Sequence, residues 1–214
     1  MQNNTSTPCG TSGCTAGDCS QCSSCTSAKT VPSLDPLTEQ QVASETVYDG
    51  KIIRVTKDTA KLQNDALAIR EVVHHPGGAC VVPLTDQLEV LMVRQFRYPF
   101  GEVTLEIPAG KLEFGEDPKA CAIRELSEEV GAAASQICSL GCLYPTPAYN
   151  KEVIHMYLAT GLQLTQQHLD EDEFLDVVKI PLEKAIRLVM QNRIPDAKTQ
   201  LALLKTIQIM NSPD

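Results

Sequence analysis

No stretch of the 214-residue chain approaches the roughly 18 consecutive apolar residues that a helix needs to cross a bilayer, so no membrane anchor is expected. Basic residues are in the minority, 18 Lys and Arg against 27 Asp and Glu. The resulting net charge of -9 argues against general nucleic-acid binding, which needs a basic face to displace counterions from phosphates. A small anionic substrate stays compatible with that balance, because a bound cation and a few local arginines invert the field around a site. The basic start and apolar core of a secretory signal are missing too, as is any internal repeat.

What is present divides in two. Residues 1–34 are rich in Ser, Thr, Gly and Asn, have almost no bulky apolar side chains, and carry Cys9, Cys14, Cys19, Cys22 and Cys25. This composition cannot build a core and predicts a disordered or merely redox-sensitive tail. Thiolates at C-x2-C-x2-C could alternatively take zinc or another thiophilic metal, or form disulfides, but the usual second C-x-x-C pair is absent. The remaining cysteines, Cys80, Cys121, Cys138 and Cys142, fall in apolar patterned segments and are expected to be buried thiols, which suits a reducing cytoplasm. Residues 35–43 form a linker, and residues 44–214 are long enough for one domain with a substantial core.

Within that domain, periodicity and turn signals predict strands at Thr46–Thr56, Leu67–His74, Ala79–Leu84, Glu89–Arg94, Ile137–Tyr144, Val153–Ala159 and Phe174–Ile180. Helices are expected at Pro181–Asn192 and Asp196–Met210. Strands interleaved with helices imply an α/β sandwich with a mixed sheet.

Chemistry concentrates in one run, GKLEFGEDPKACAIRELSEEVGA, from Gly110 to Ala132. Asp117 can cap a helix whose first position is Pro118, where a missing N–H costs nothing, and Gly131 offers a left-handed stop. At about 100° per residue, Ile123, Leu126 and Val130 share one face, while Glu125, Glu128 and Glu129 lie within roughly a 100° arc elsewhere. Such crowding raises carboxylate pKa values, and a hard cation with oxygen ligands, Mg²⁺ or Mn²⁺, relieves it. Arg124 is placed to pair with one of the glutamates. A glutamate-rich helix alone is more often a solvated acidic face; Gly110 and Glu116 at their offsets favour the functional reading.

The spacing G-x5-E-x7-R-E-U-x-E-E-x-G-U, with U a bulky aliphatic, resembles a complete Nudix box, Ala132 alone being smaller than the pattern prefers. Arg70 through Gly78, Gln95-Phe96-Arg97-Tyr98-Pro99, Leu105 through Gly110, Tyr144 through Pro147 and Asp196-Ala197-Lys198-Thr199 are similar to the ADP-ribose pyrophosphatase branch of that family. Ala148-Tyr149-Asn150 departs from it where a Gly commonly follows the proline.

The resemblance implies a Nudix-type α/β/α sandwich and cations held by Glu125, Glu128, Glu129 and the carbonyl of Ala109. It further implies hydrolysis of a small nucleotide substrate, ADP-ribose, to AMP and ribose 5-phosphate. A general base is expected from the acidic loop at Asp170 to Glu173, with Glu171 the first choice and Glu173 the second, and Glu128 or Glu106 the fallback. Arg97, Arg70, Glu106 and Pro147 are the expected substrate-binding residues, and a homodimer is implied in which strands near Thr46 to His74 reach the partner's site. The alternatives are a hydrolase of another nucleoside diphosphate sugar or a non-catalytic ADP-ribose-binding sensor.

Overall fold

The structure, a computed structural model, describes residues 35–169 and 173–211. Its first layer is an antiparallel meander of β1 (Gln40–Asp49), β2 (Arg54–Lys61) and β3 (Leu67–His74). One strand was expected over Thr46–Thr56, and two are found. Gly50 N donates to the Ile53 carbonyl at 3.0 Å and turns the chain, as an Asp-Gly pair flanked by β-prone residues favours. Because β1 already begins at Gln40, the 35–43 segment is part strand rather than all linker.

The sandwich proper is built on β4 (Gly78–Pro83), whose six residues are all buried. It runs parallel to β9 (Ile154–Leu164) and antiparallel to the short β7 (Ala109–Lys111), in a sheet ordered β7-β4-β9-β8 that ends at β8 (Ala132–Leu143). A second sheet is ordered β10-β5-β6, from Leu175–Pro181, Glu89–Arg97 and Glu102–Glu106.

Alternation along the strands explains the layers. Ala79 and Val81 join Leu91 and Val93 in one core with Cys121, Ala122 and Leu126 of α1 (Pro118–Val130). Their neighbours Cys80 and Val82 join Val90 and Met92 in another, with Leu182, Ala185 and Val189 of α2 (Leu182–Met190) and Ala202 and Leu203 of α3 (Ala197–Asn211). Side chains of period two thus feed a core on each face, and the strands lose their polar positions. The chain is an α/β sandwich, as its sequence predicts. No helix among the described residues is long and apolar enough to cross a membrane.

Cys80 and Cys121 are buried, with burial pushing both thiols up to about 12, whereas Cys138 and Cys142 are exposed. The expectation of four buried thiols fails at the second pair. Both lie on β8, which ends its sheet and carries a bulge between Ser139 and Gly141, so an apolar pattern there does not mean two covered faces. The tail cysteines lie outside the described residues.

Candidate active site

Helix α1 starts as its sequence requires. Asp117 Oδ1 accepts from the backbone N–H groups of Lys119 and Ala120, both at 3.0 Å, and Pro118 occupies the first turn. Gly131 ends it at φ 63°, ψ 52°, and a Cβ there would stand 2.7 Å from Gln167 N. These two stops fix where the helix begins and ends, and packing of Cys121, Ala122, Leu126 and Val130 into the core fixes its rotation.

Glu125 and Glu129, one turn apart, point from α1 at the Pro108-Ala109-Gly110 turn. Glu129 Oε2 accepts from Ala109 N at 2.9 Å. Glu125 lies so close to Gly110 that a Cβ on that residue would come within 1.6 Å of Glu125 Oε1. The glycine is therefore a requirement of close approach, since any side chain would displace the carboxylate. Burial raises the Glu125 carboxyl above its ordinary range, with Glu128 and Glu173 adding to the effect of burial against Arg124. Burial and the adjacent Glu125 push Glu129 to about 8.

Arg124 locks the outer side of this group. Its guanidinium donates to Glu116 Oε1 and Oε2 at 3.0 and 3.1 Å, to Glu125 Oε1 at 2.7 Å, to Glu128 Oε2 at 3.0 Å and to the Lys111 carbonyl at 3.2 Å. Glu116 is the structural member of the set. Arg124 holds its carboxyl down to about 2, and the Glu113 N–H at 2.9 Å assists, so it fastens the loop at 113–117 to the helix.

A cleft of about 890 Å³ opens in front of the turn. Glu125, Glu129 and Ala109 line it with Arg97, Glu173, Asp196 and Lys198. Glu128 lies beside them, about one third exposed, in the grip of Arg124. Glu173 stands close enough to Glu125 and Glu129 for its charge to raise both. Glu171 lies outside the described residues.

Opposite the helix, Glu106 is buried and accepts from Arg97 Nε and Nη2 at 2.7 and 2.6 Å, from Thr104 Oγ1 at 2.6 Å and from Lys198 Nζ. Burial works against its ionisation, yet Arg97, Lys198 and Thr104 together hold it down to about 2. An inward carboxylate was expected here to serve substrate or metal. Its oxygens accept from two cations and a hydroxyl, and both cations line the cleft. Sequence reasoning gave Lys198 no role; its signal was Asp196-x-Lys-Thr at a helix start, where Asp196 Oδ2 accepts from Thr199 N at 2.9 Å.

Two expected residues are elsewhere. Arg70 makes a bidentate pair with Glu39 at 2.9 and 2.7 Å on the meander, and Pro147 borders a separate hollow of about 420 Å³ with Asp58, His74 and Tyr149. Neither lines the cleft of its own chain.

Among the described residues no group of three or more His, Cys, Asp or Glu is already gathered as a metal site. The donor set nevertheless fits a hard divalent cation. It is all oxygen, and two of its carboxylates are buried together with raised pKa values, Glu125 partly compensated by Arg124 and Glu129 by Arg97.

A sandwich with an acidic helix, a glycine turn and a basic wall across the cleft fits a class of enzymes acting on phosphoric anhydrides. Comparison with known families matches the NUDIX domain over residues 74–202, and the chain belongs to the Nudix family. It is 40% identical over 169 residues to the ADP-ribose pyrophosphatase of Bacillus subtilis strain 168, covering 78% of this chain and 91% of that one. The methanol dehydrogenase activator of Bacillus methanolicus is 38% identical over 167 residues, 77% of this chain and 90% of its own. The ADP-ribose pyrophosphatase of Mycobacterium tuberculosis H37Rv is 34% identical, over 72% and 76%. A solved structure described as an ADP compounds hydrolase superposes with a TM-score of 0.72 at 23% identity, covering 81% of this chain and 95% of that chain, which shows the shared fold.

Proposed function

We propose that the protein is a divalent-metal-dependent pyrophosphohydrolase that converts ADP-ribose and water to AMP and ribose 5-phosphate. The observation that carries this reading is the cleft itself. Buried carboxylates Glu125 and Glu129 face the paired cations Arg97 and Lys198 across a space suited to a dinucleotide-sized anion. The similarity to ADP-ribose pyrophosphatases over most of the chain supports the substrate.

Glu125, Glu128 and Glu129, with the Ala109 carbonyl, would hold Mg²⁺ or Mn²⁺; such cations supply charge withdrawal from phosphoryl oxygens and acidification of water. The chain's own residues do the rest. Arg97, its fork held in place by Glu106, offers its remaining N–H groups to a phosphoryl oxygen. Glu173 takes the proton of the attacking water from the loop side of the cleft. Water's oxygen bonds to one phosphorus, the bridging P–O bond breaks, and the leaving phosphate departs with that electron pair. Glu173 is taken as the base on its place in the cleft beside Glu125 and Glu129, with Glu171 the alternative.

Metal-dependent phosphate release across ADP-ribose, GDP-mannose, NAD and ADP-glucose tests the reading. The highest kcat/KM is expected with ADP-ribose. A clear preference for another nucleoside diphosphate sugar would replace the substrate, and binding without turnover would make the protein a sensor.

A cytoplasmic homodimer completes the proposal. Every residue of β1 is exposed in the single chain, Val42, Val47 and Tyr48 among them, and Leu67 and Ile69 of β3 join them. Apolar surface of this extent on one layer suits a second copy, which would bring Arg70 and Pro147 toward a partner's cleft. Sedimentation is expected to give a dimer; a monomer fully active at low concentration would exclude it.

A further inference from the structure

Residues 165–174 join β9 to β10 and bring Glu173 to the cleft. Connections inside a domain commonly run about 4 to 6 residues, and a longer one needs ties of its own to hold a side chain in place. Its later end is tied at Leu175, which pairs with Gln95 of β5 just beyond Glu173. Its earlier end is tied to the last turn of α1. Thr165 N donates to the Gly131 carbonyl at 2.7 Å and His168 N to the Glu128 carbonyl at 3.1 Å. Between them the side-chain amide of Gln167 donates through Nε2 to the Glu129 carbonyl at 2.7 Å.

Helix chemistry alone does not call for this last bond. The final carbonyls of any helix lack intrahelical partners, and at a surface water serves them. Thr165, Gln166 and His168 are exposed, so water has access to this end of α1. Gln167 is half-buried instead, and it commits its amide to the main chain of the residue whose carboxylate accepts from Ala109 N. Gly131 leaves the room for it. A Cβ there would stand 2.9 Å from the Thr165 carbonyl oxygen and 3.0 Å from the Gln166 carbonyl carbon, so the connection lies this close only because the helix ends in glycine.

We infer that Gln167 is a positioning residue for the general base: by holding the Glu129 carbonyl it fixes the connection that carries Glu173 to the helix that carries Glu125 and Glu129. The carboxylate that takes the water proton and the carboxylates that suit a cation are thereby set relative to one turn of α1. A misplacement of about 1 Å costs on the order of 10²-fold in rate, so such a tie acts on turnover more than on affinity. The inference rests on the pyrophosphohydrolase reading and deepens its proton-transfer step.

The test is a double-mutant cycle on the full chain. Gln167→Met keeps the bulk and removes the N–H donor, and Gln167→Ala removes both. Each is made alone and together with Glu173→Gln. The measurements are kcat, KM, melting temperature, Mn²⁺ affinity by electron paramagnetic resonance, and Mg²⁺-supported binding of the α,β-methylene analogue of ADP-ribose. Alone, each Gln167 variant is expected to lower kcat about 10- to 100-fold, with Mn²⁺ and analogue affinities within about twofold of wild type. Added to Glu173→Gln, neither should lower kcat by more than about a further twofold, because a group that cannot accept the proton gains nothing from being held.

A loss of kcat that multiplies with that of Glu173→Gln would overturn the inference, as would unchanged kcat in folded Gln167 variants. So would a parallel fall in Mn²⁺ affinity, or failure of both variants to fold, because Gln167 would then be a brace for α1. If Glu171→Gln is the crippled variant instead of Glu173→Gln, the cycle is run with Glu171 and the same criterion decides. If neither is crippled, the connection carries no base and the inference falls. Absence of turnover by wild type on every nucleotide would fell the pyrophosphohydrolase reading itself, and the inference with it.

Discussion

Glu129→Gln is expected to lower kcat at saturating Mg²⁺ on the order of 10³-fold, while the metal-free protein melts at a higher temperature than wild type. The first effect follows from losing an anionic ligand, since a cation on phosphoryl oxygens supplies several kcal/mol of transition-state stabilisation. The second follows from burial. Glu129 is 2% exposed, and burial with Glu125 beside it raises its pKa from 4.5 to about 8. A carboxyl raised in the folded state takes up a proton on folding between those values, so stability falls as pH rises from about 4.5 through about 8. The glutamine of the variant has no proton to lose. The difference in melting temperature between variant and wild type should therefore be small at pH 4 and largest above pH 8, at roughly 2 to 4 °C for each kcal/mol in a chain of this size. Thermal scans against pH in chelator, set beside steady-state rates, check both parts. Turnover within tenfold of wild type would remove Glu129 from the metal site. A pH-independent difference in melting temperature would remove the burial argument.

Glu173→Gln should reduce kcat about 10²- to 10⁴-fold and leave the affinity for the α,β-methylene analogue nearly unchanged, because general-base help is made only on the way to the transition state. Glutamine keeps the shape and cannot accept the proton. The cleft position of Glu173, near Glu125 and Glu129, motivates the choice. Glu171→Gln is the companion measurement. If it is the crippled variant and Glu173→Gln is not, the base lies two residues earlier. If neither changes kcat tenfold, the loop is a solvated turn, and Glu128 and Glu106 are next. The saturated hydrogen bonding of Glu106, to Arg97, Thr104 and Lys198, argues against that residue as a base.

Legibility in the sequence followed the range of the interaction. Asp117, Pro118 and Gly131 act within a turn of themselves, and the helix they bound is the one their spacing predicts. Glu125 and Glu129 share a face because both belong to one helix, whereas the close approach of the Glu125 carboxylate to Gly110 is visible only in the structure. The hairpin at Gly50 was hidden because the residues on both sides of it have the same β-prone character, and only the pairing register, Tyr48 with Val55 and Asp49 with Arg54, separates the strands. Cys138 and Cys142 misled for a related reason, since an apolar strand pattern says nothing about whether a neighbouring layer covers it.

The sequence alone thus determined the chemistry of this chain, an acidic helix behind a glycine turn, since that information is carried by residues within 23 positions of one another, from Gly110 to Ala132. It determined the α/β class as well, because strand and helix periodicities are local. Only the tertiary structure decided what faces that helix. Glu106 and Lys198 are 92 positions apart and meet because β6 and α3 pack on the same core, which no spacing rule records. It also decided that Arg70 and Pro147 stand away from the cleft of their own chain, since the meander that carries Arg70 and the hollow beside Pro147 are set by packing between layers rather than by any run of residues.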